Sequence, residues 1–263
     1  MRLPTICRNA IELGAHAMET RTALVCGGTG GLGGGVAQAL RDQGVRVVAT
    51  SSRANPAAGV VDGVAHLDFT DRRSIAGCVQ ALERAGIRPD ILVLNGPGPA
   101  KGRTAEVPES AWFEAFETLW AAPLTLVRTL LPSMEERGWG RVVWVTSVAC
   151  MHYVPEMAIS TSLRAGLHGL VQTLSAEYAG SGVTVNAIAP GYHETDRMRQ
   201  LGVPQSILGQ IPVGRLGTTA EFGAGAAFLA SESAGYVTGQ VLLCDGGWGH
   251  GHGGPRPATG AGH

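Results

Sequence analysis

Short apolar runs rich in β-branched residues alternate along the chain with longer stretches in which apolar residues recur every three or four positions. The runs "TALVCGG" (22–28), "VRVVATS" (45–51), "VAHLDF" (64–69), "ILVLNG" (91–96), "RVVWVTS" (141–147), "VTVNAIAPG" (183–191) and "GQVLLCDGG" (239–247) predict strands. Their near-continuous apolarity is what strands show when helices cover both faces of a parallel sheet. Helices are predicted over 32–43, 73–86, 109–136, 158–180 and 218–231. Repeated βα units imply an α/β fold, a doubly wound parallel sheet of about seven strands with right-handed crossovers. Ligands of such a sheet bind beyond the C-terminal strand ends. No internal repeat or linker divides residues 21–248, so one domain is expected there.

Composition narrows the partners. A length of 263 residues is ample for a large core, and a net charge of −1 offers no basic surface to nucleic acid or an anionic membrane. No run reaches the ~18 apolar residues of a membrane-spanning helix. Cys7, Cys26, Cys78, Cys150 and Cys244 are odd in number, scattered and without CxxC spacing. That pattern argues against a disulfide framework or a metal site and for a reducing, cytoplasmic setting. The first residues lack the apolar stretch of ~7–15 residues that marks a secretory signal. Either residues 1–20 are a short flexible extension or Met18 is the natural start, the second being favoured. Residues 249–263 read as a disordered Gly/Pro/His tail whose His250, His252 and His263 are solvated rather than ligating. Lys101 is the only lysine among 20 basic residues, an arginine excess that reads as a GC-rich coding bias.

The first strand feeds "CGGTGGLGGGVAQAL", a glycine-rich turn opening a helix. Such a turn lets backbone N–H groups and the helix N-terminus face a pyrophosphate with no Cβ in the way.

Several phrases together resemble the short-chain dehydrogenase/reductase family over residues 21–248. "CGGTGGLG" corresponds to its TGxxxGxG, with Gly27, Gly31 and Gly33 in the glycine places and Cys26 where threonine is usual. Thr29 and Leu32 of the same turn are expected to line the cofactor too. "LDFTD" places Asp68 where the family's aspartate contacts adenine, and "LVLNGPG" retains Asn95 of the NNAG segment. "RVVWVTS" ends on Ser147 in the place of the catalytic serine. "VTVNAIAPGYHET" gives the turn at Pro190 and Gly191, with Thr195 where a threonine commonly holds the nicotinamide amide. The resemblance implies a Rossmann-type domain that binds a nicotinamide dinucleotide.

The resemblance fails where the family's chemistry resides. Its members use a Tyr–Lys pair one helical turn apart, a serine on the preceding strand and a helix asparagine; the phenol is the acid/base and the ammonium lowers its pKa. Thirteen residues beyond Ser147 stands Ser160 in the tyrosine place, and four further stands Arg164 in the lysine place. Leu119 occupies the asparagine place. Arg164 keeps a positive charge able to grip ribose hydroxyls or an anion, but a guanidinium does not release a proton. Ser160 is too short and too weak an acid, and is read as leaving room. Surrogates are sought in "VACMHYVPEM" after Ser147: Tyr153 with Arg164 as its cation, or His152, a residue type that exchanges protons near neutrality. Glu156 of that loop, and His193 and Glu194 in the lid after the Pro190–Gly191 turn, are further candidates.

The second strand ends on Ser51, followed by Ser52 and Arg53, where NAD-preferring members carry an acid. With no carboxylate to repel a 2′-phosphate and Arg53 at hand, NADP(H) is favoured over NAD(H); Asp62 lies too far on to substitute. Three functions fit these residues. The favoured one is an NADP(H)-dependent oxidoreductase acting on a small ketone, acyl or polyketide-like substrate with non-standard acid/base residues. The others are a non-redox enzyme on the same scaffold (dehydratase, isomerase or cyclase, in secondary metabolism) and a non-catalytic nucleotide-binding partner subunit. The resemblance also implies a homodimer or homotetramer, paired through helices 109–136 and 158–180 and the last strand.

Overall fold

The computed structural model describes residues 20–53, 61–201 and 205–248. The expected N-terminal extension, Met18, and the tail over 249–263 with its three histidines lie outside them, Thr20 alone excepted. Seven parallel strands form one sheet in the order β3-β2-β1-β4-β5-β6-β7: β1 Thr22–Val25, β2 Arg46–Ser51, β3 Gly63–His66, β4 Ile91–Leu94, β5 Gly140–Val145, β6 Val183–Pro190 and β7 Val241–Cys244. β1 pairs with both β2 and β4, so the strand order reverses beside it and opens a crevice at its C-terminal end.

Side-chain alternation explains why both faces are apolar. In β1, Ala23 and Val25 join Val36, Leu40 and Phe222 on one face, where α1 (Gly31–Asp42) and α8 (Thr219–Leu229) pack. Leu24 and Cys26 join Leu82, Leu126, Leu131 and Leu167 on the other, beneath α2 (Arg72–Arg84), α4 (Ala122–Glu136) and α5 (Ala158–Tyr178). The helix predicted over 109–136 is α3 (Glu109–Phe116), a π turn (Glu117–Ala121) and α4 in succession. Trp120 of the π turn donates to the Leu163 carbonyl at 2.7 Å and so keys this helix to α5. Two short helices in the segment after β6, α6 (Asp196–Leu201) and α7 (Gln205–Leu208), were not legible in the sequence pattern. Apart from β2, which ends on Ser51 as predicted, the strands end one to three residues earlier than predicted, because their last residues turn into loops. β1 stops at Val25 since Gly27 has φ +62°, and β3 stops at His66 since Asp68 accepts from the Thr70 amide at 2.9 Å and begins a turn.

Candidate functional site

The nucleotide half of the site grows from the turn between β1 and α1. Gly27 and Gly31 have φ +62° and +54°, a backbone region that suits glycine. Gly33 lies against the Gly27 carbonyl, where an added Cβ would stand 2.3 Å from the oxygen. The N-cap of α1 is Gly30, with no side-chain cap and no acid in the first turn, so its leading N–H groups are offered outward. Asn95 Nδ2 donates to the Cys26 carbonyl at 3.3 Å, which ties the end of β4 to the turn.

Gly27, Ser51, Ser52, Asp68 and Asn95, all expected from the sequence to meet the cofactor, line a single cavity of about 280 Å³ with Leu67 and Phe69 as its apolar wall. Asp68 Oδ1 is held by the Thr70 amide and hydroxyl at 2.9 and 2.7 Å. Ser51 Oγ accepts from the Arg53 amide at 3.1 Å, which shapes the turn that carries the exposed Arg53. Asp62 serves the fold instead, its carboxylate taking the Val47 amide at 2.8 Å and Arg41 at 3.0 Å. An uncapped helix, a cradle closed to any Cβ and a half-polar cavity fit a dinucleotide.

The reacting half lies beyond β5 and along α5. Ser147 is the N-cap of a short 3-10 turn, Val148–Cys150, and its Oγ accepts from the Ala149 amide at 3.2 Å. Its own O–H is thereby left to donate to a ligand. Ser160 and Arg164 are buried, 1% and 8% exposed, and Arg164 Nη1 donates to Ser160 Oγ at 2.7 Å. Ser160 therefore does more than leave room: it orients the guanidinium one turn away. Leu119 sits in the π turn and packs with Ala115 and Ile159 in an apolar cluster that offers no polar partner to a water.

The candidate surrogates separate. Tyr153 is 83% exposed and lines a surface groove with Arg103 and Glu156, so its phenol is turned to solvent rather than toward buried Arg164. Glu156 is exposed and has φ +60°; Glu194 is exposed as well. His193 is not in a lid at all. It is 4% exposed, edge-on to Phe222 at 5.4 Å, with Nδ1 3.3 Å from the Gly191 carbonyl and Nε2 3.6 Å from Cys244 Sγ. Its pKa is lowered by burial, and so is that of half-buried His168. His152 meets the Trp248 ring at 6.4 Å, and Tyr192 meets the same ring at 5.9 Å, both edge-on. Three separate segments thus bring an imidazole, an indole and a phenol together. Burial raises the Tyr192 pKa, so this phenol keeps its proton near neutrality.

Tyr192, Trp248, Cys150 and His168 were missed in the sequence. Tyr192 had a usable signal, being the first residue beyond the Pro190–Gly191 turn. Cys150 and His168 had none; only folding brings Sγ to 3.1 Å from Nε2, with the thiol also meeting the Ser147 carbonyl. Burial raises the Cys150 pKa and keeps it a neutral thiol.

One pH effect follows from the two buried imidazoles. Both have folded pKa values below the ordinary 6.5, so the unfolded chain takes up protons first as pH falls. Their stabilisation is complete above that value and is lost below it, at no more than about 1.4 kcal/mol per pH unit for each. Thermal melts from pH 7.5 to 5 should show falling stability, with a shallower slope in His193→Asn; an unchanged slope contradicts a neutral buried His193.

The chain matches the family described as enoyl-(acyl carrier protein) reductase over residues 27–249. It is 32% identical to the 3-oxoacyl-[acyl-carrier-protein] reductase FabG of Escherichia coli over 237 residues, covering 87% of this chain and 97% of that one. It is 33% identical to the 2-dehydro-3-deoxy-D-gluconate 5-dehydrogenase of Pseudoalteromonas atlantica over 249 residues, covering 88% and 97%. Among solved structures it is similar to YwfH, an NADPH-dependent reductase involved in bacilysin biosynthesis, with a TM-score of 0.83, 27% identity and coverage of 89% and 100%.

Proposed function

Because the chain belongs to the short-chain dehydrogenase/reductase family of NAD(P)-dependent oxidoreductases, we propose that it is an NADPH-dependent reductase of a small ketone or acyl substrate working without the family's tyrosine. The observation that carries this reading is the cradle: Gly33 closes on the Gly27 carbonyl and Gly27 on Asn95, while Gly30 and Gly31 at the uncapped start of α1 face open space for a pyrophosphate, beside the cavity lined by Ser51, Ser52 and Asp68. The bound dinucleotide supplies a hydride, the hard part of the chemistry. Thr29, Gly31 and Leu32 would lie along its phosphates, and Pro190, Gly191 and Thr195 beside its nicotinamide. Ser147 donates its O–H to the substrate oxygen. Arg164, aimed by Ser160, supplies fixed positive charge that holds the substrate in place beside the cofactor. A proton is drawn from the His152–Tyr192 side, where the protonated phenol stands; Tyr153 is the weaker candidate given its exposure. The reductase named from Escherichia coli and the NADPH-dependent one similar in fold support the substrate class and the cofactor.

Arg53 is proposed to select the 2′-phosphate. Arg53→Ala should weaken NADPH binding about tenfold, the worth of one charge-assisted hydrogen bond, and leave NADH binding unchanged. Equal losses for both nucleotides would remove Arg53 from this role. Apolar Phe113 and Phe116, 68% and 50% exposed on α3, support pairing of subunits through these helices. The activity test incubates the protein and NADPH with 3-oxoacyl thioesters and small ketones. Consumption of NADPH matched to alcohol formed supports the reading; conversion of a substrate with no NADPH consumed favours a non-redox enzyme.

A further inference from the structure

We infer that the Ser160–Arg164 pair is a carboxylate-binding site, and that the substrate is a small oxo acid docking its carboxylate on the Arg164 guanidinium; this rests on the reductase reading above. The protein has two deeply buried arginines among its described residues, and they differ in their partners. Arg141, 3% exposed, is enclosed by acceptors: Nε donates to the Ser231 carbonyl at 3.1 Å and Nη1 to those of Gly140 and Gly182 at 2.8 and 3.3 Å. Glu232 lies 3.9 Å away, and the guanidinium covers the Trp139 ring at 4.3 Å. That arginine is spent on the fold.

Arg164 is buried almost as deeply, yet its only hydrogen bond among the described residues is the one to Ser160. No carboxylate of the described residues lies within the 4.0 Å of an ion pair, and Nε is sealed from solvent with no acceptor. A buried cation without a counterion destabilises a fold, and an unmade buried hydrogen bond adds to that. Its neighbours do not supply the missing charge: Ser160 is neutral, and burial keeps the nearby Cys150 a protonated thiol. No described residue supplies the complement, and a ligand's anion is what we assign to it.

The geometry selects the ligand's chemistry. Nη1 is fixed on Ser160, so the guanidinium plane is set before anything binds; Nε is sealed from solvent whereas Nη2 is not, so the Nη1/Nη2 edge is what a ligand meets. A planar monoanion with two oxygens matches both the fork and the single charge. A ribose hydroxyl can take one hydrogen bond but leaves the charge uncompensated.

Calorimetric titration of the full chain with benzoate and acetoacetate, each against its amide (benzamide and acetoacetamide), tests this with saturating NADP present. The acids should bind at least about tenfold more tightly than the amides, as a charge-assisted pair requires. The preference should vanish in Arg164→Gln and survive only in part in Arg164→Lys, which keeps charge without the fork. Equal affinity of acid and amide, or a preference that persists in Arg164→Gln, overturns the inference. If the variants do not fold, the wild-type comparison of acid with amide still decides. Saturable NADP binding without any acid preference overturns the carboxylate site alone; absence of nucleotide binding overturns the reductase reading and the inference with it.

Discussion

Gly33→Ala is expected to destabilise the protein by about 3 kcal/mol and to abolish measurable dinucleotide binding, all through one methyl group. The added Cβ would stand 2.3 Å from the Gly27 oxygen, 2.8 Å from its carbonyl carbon and 2.9 Å from Asn95 Nδ2. Two of those atoms are backbone, so relief requires the turn itself to move away from α1. That movement destroys the surface a pyrophosphate would meet. Gly34→Ala is the internal control. Its Cβ would have nothing nearer than 3.8 Å, so the substitution should be neutral or stabilise the helix by up to about 1 kcal/mol. Denaturant titration with nucleotide titration on both variants checks this. A Gly33→Ala protein with native stability and affinity would show that the close approach is not needed.

Arg164→Met is expected to separate stability from function. No ion pair is broken, so the apo variant should be as stable as the wild type or more so, by up to about 3 kcal/mol, as when buried charges are replaced by apolar groups of similar volume. Turnover should fall at least about a hundredfold, the effect of losing the charge that positions the substrate for reaction. Arg141→Met should do the reverse to stability: it orphans the Ser231, Gly140 and Gly182 carbonyls and should cost about 3 kcal/mol or more. Equilibrium denaturation of the three proteins compares them directly. A loss of about 3 kcal/mol or more in Arg164→Met would mean that the fold, not a ligand, uses the charge.

The fold was legible because its signal is repetitive. Each apolar run that read as a strand is one, and the predicted helices are present, since parallel strands buried on both faces leave an unmistakable pattern. The nucleotide half was legible too: a glycine turn, Ser51, Ser52, Asp68 and Asn95 are local marks whose common cavity follows from strand order. The reacting half was legible only in part. That Ser147 is followed by Ser160 and Arg164 could be counted along the chain, but whether Ser160 is empty space or a partner depended on one 2.7 Å bond. His193 looked like a lid residue because it follows the Pro190–Gly191 turn. It lies in the core because the backbone folds back to pair with Gly217, which presents no side chain against the ring. The clustering of His152, Tyr192 and Trp248 joins residues 152, 192 and 248, a separation that no local pattern encodes.

Cofactor binding by the whole protein underlies every step proposed for the reacting half, and titration with NADPH and with NADH, followed by nicotinamide fluorescence, measures it. Saturable binding of NADPH is expected, at least about tenfold tighter than NADH, because Arg53 meets a 2′-phosphate and no acid stands at Ser51 to repel it. A flat titration with both nucleotides would mean the opposite: the cradle of Gly27 and Gly33 would then be a structural turn, and the hydride chemistry proposed for Ser147 and Arg164 would have no source.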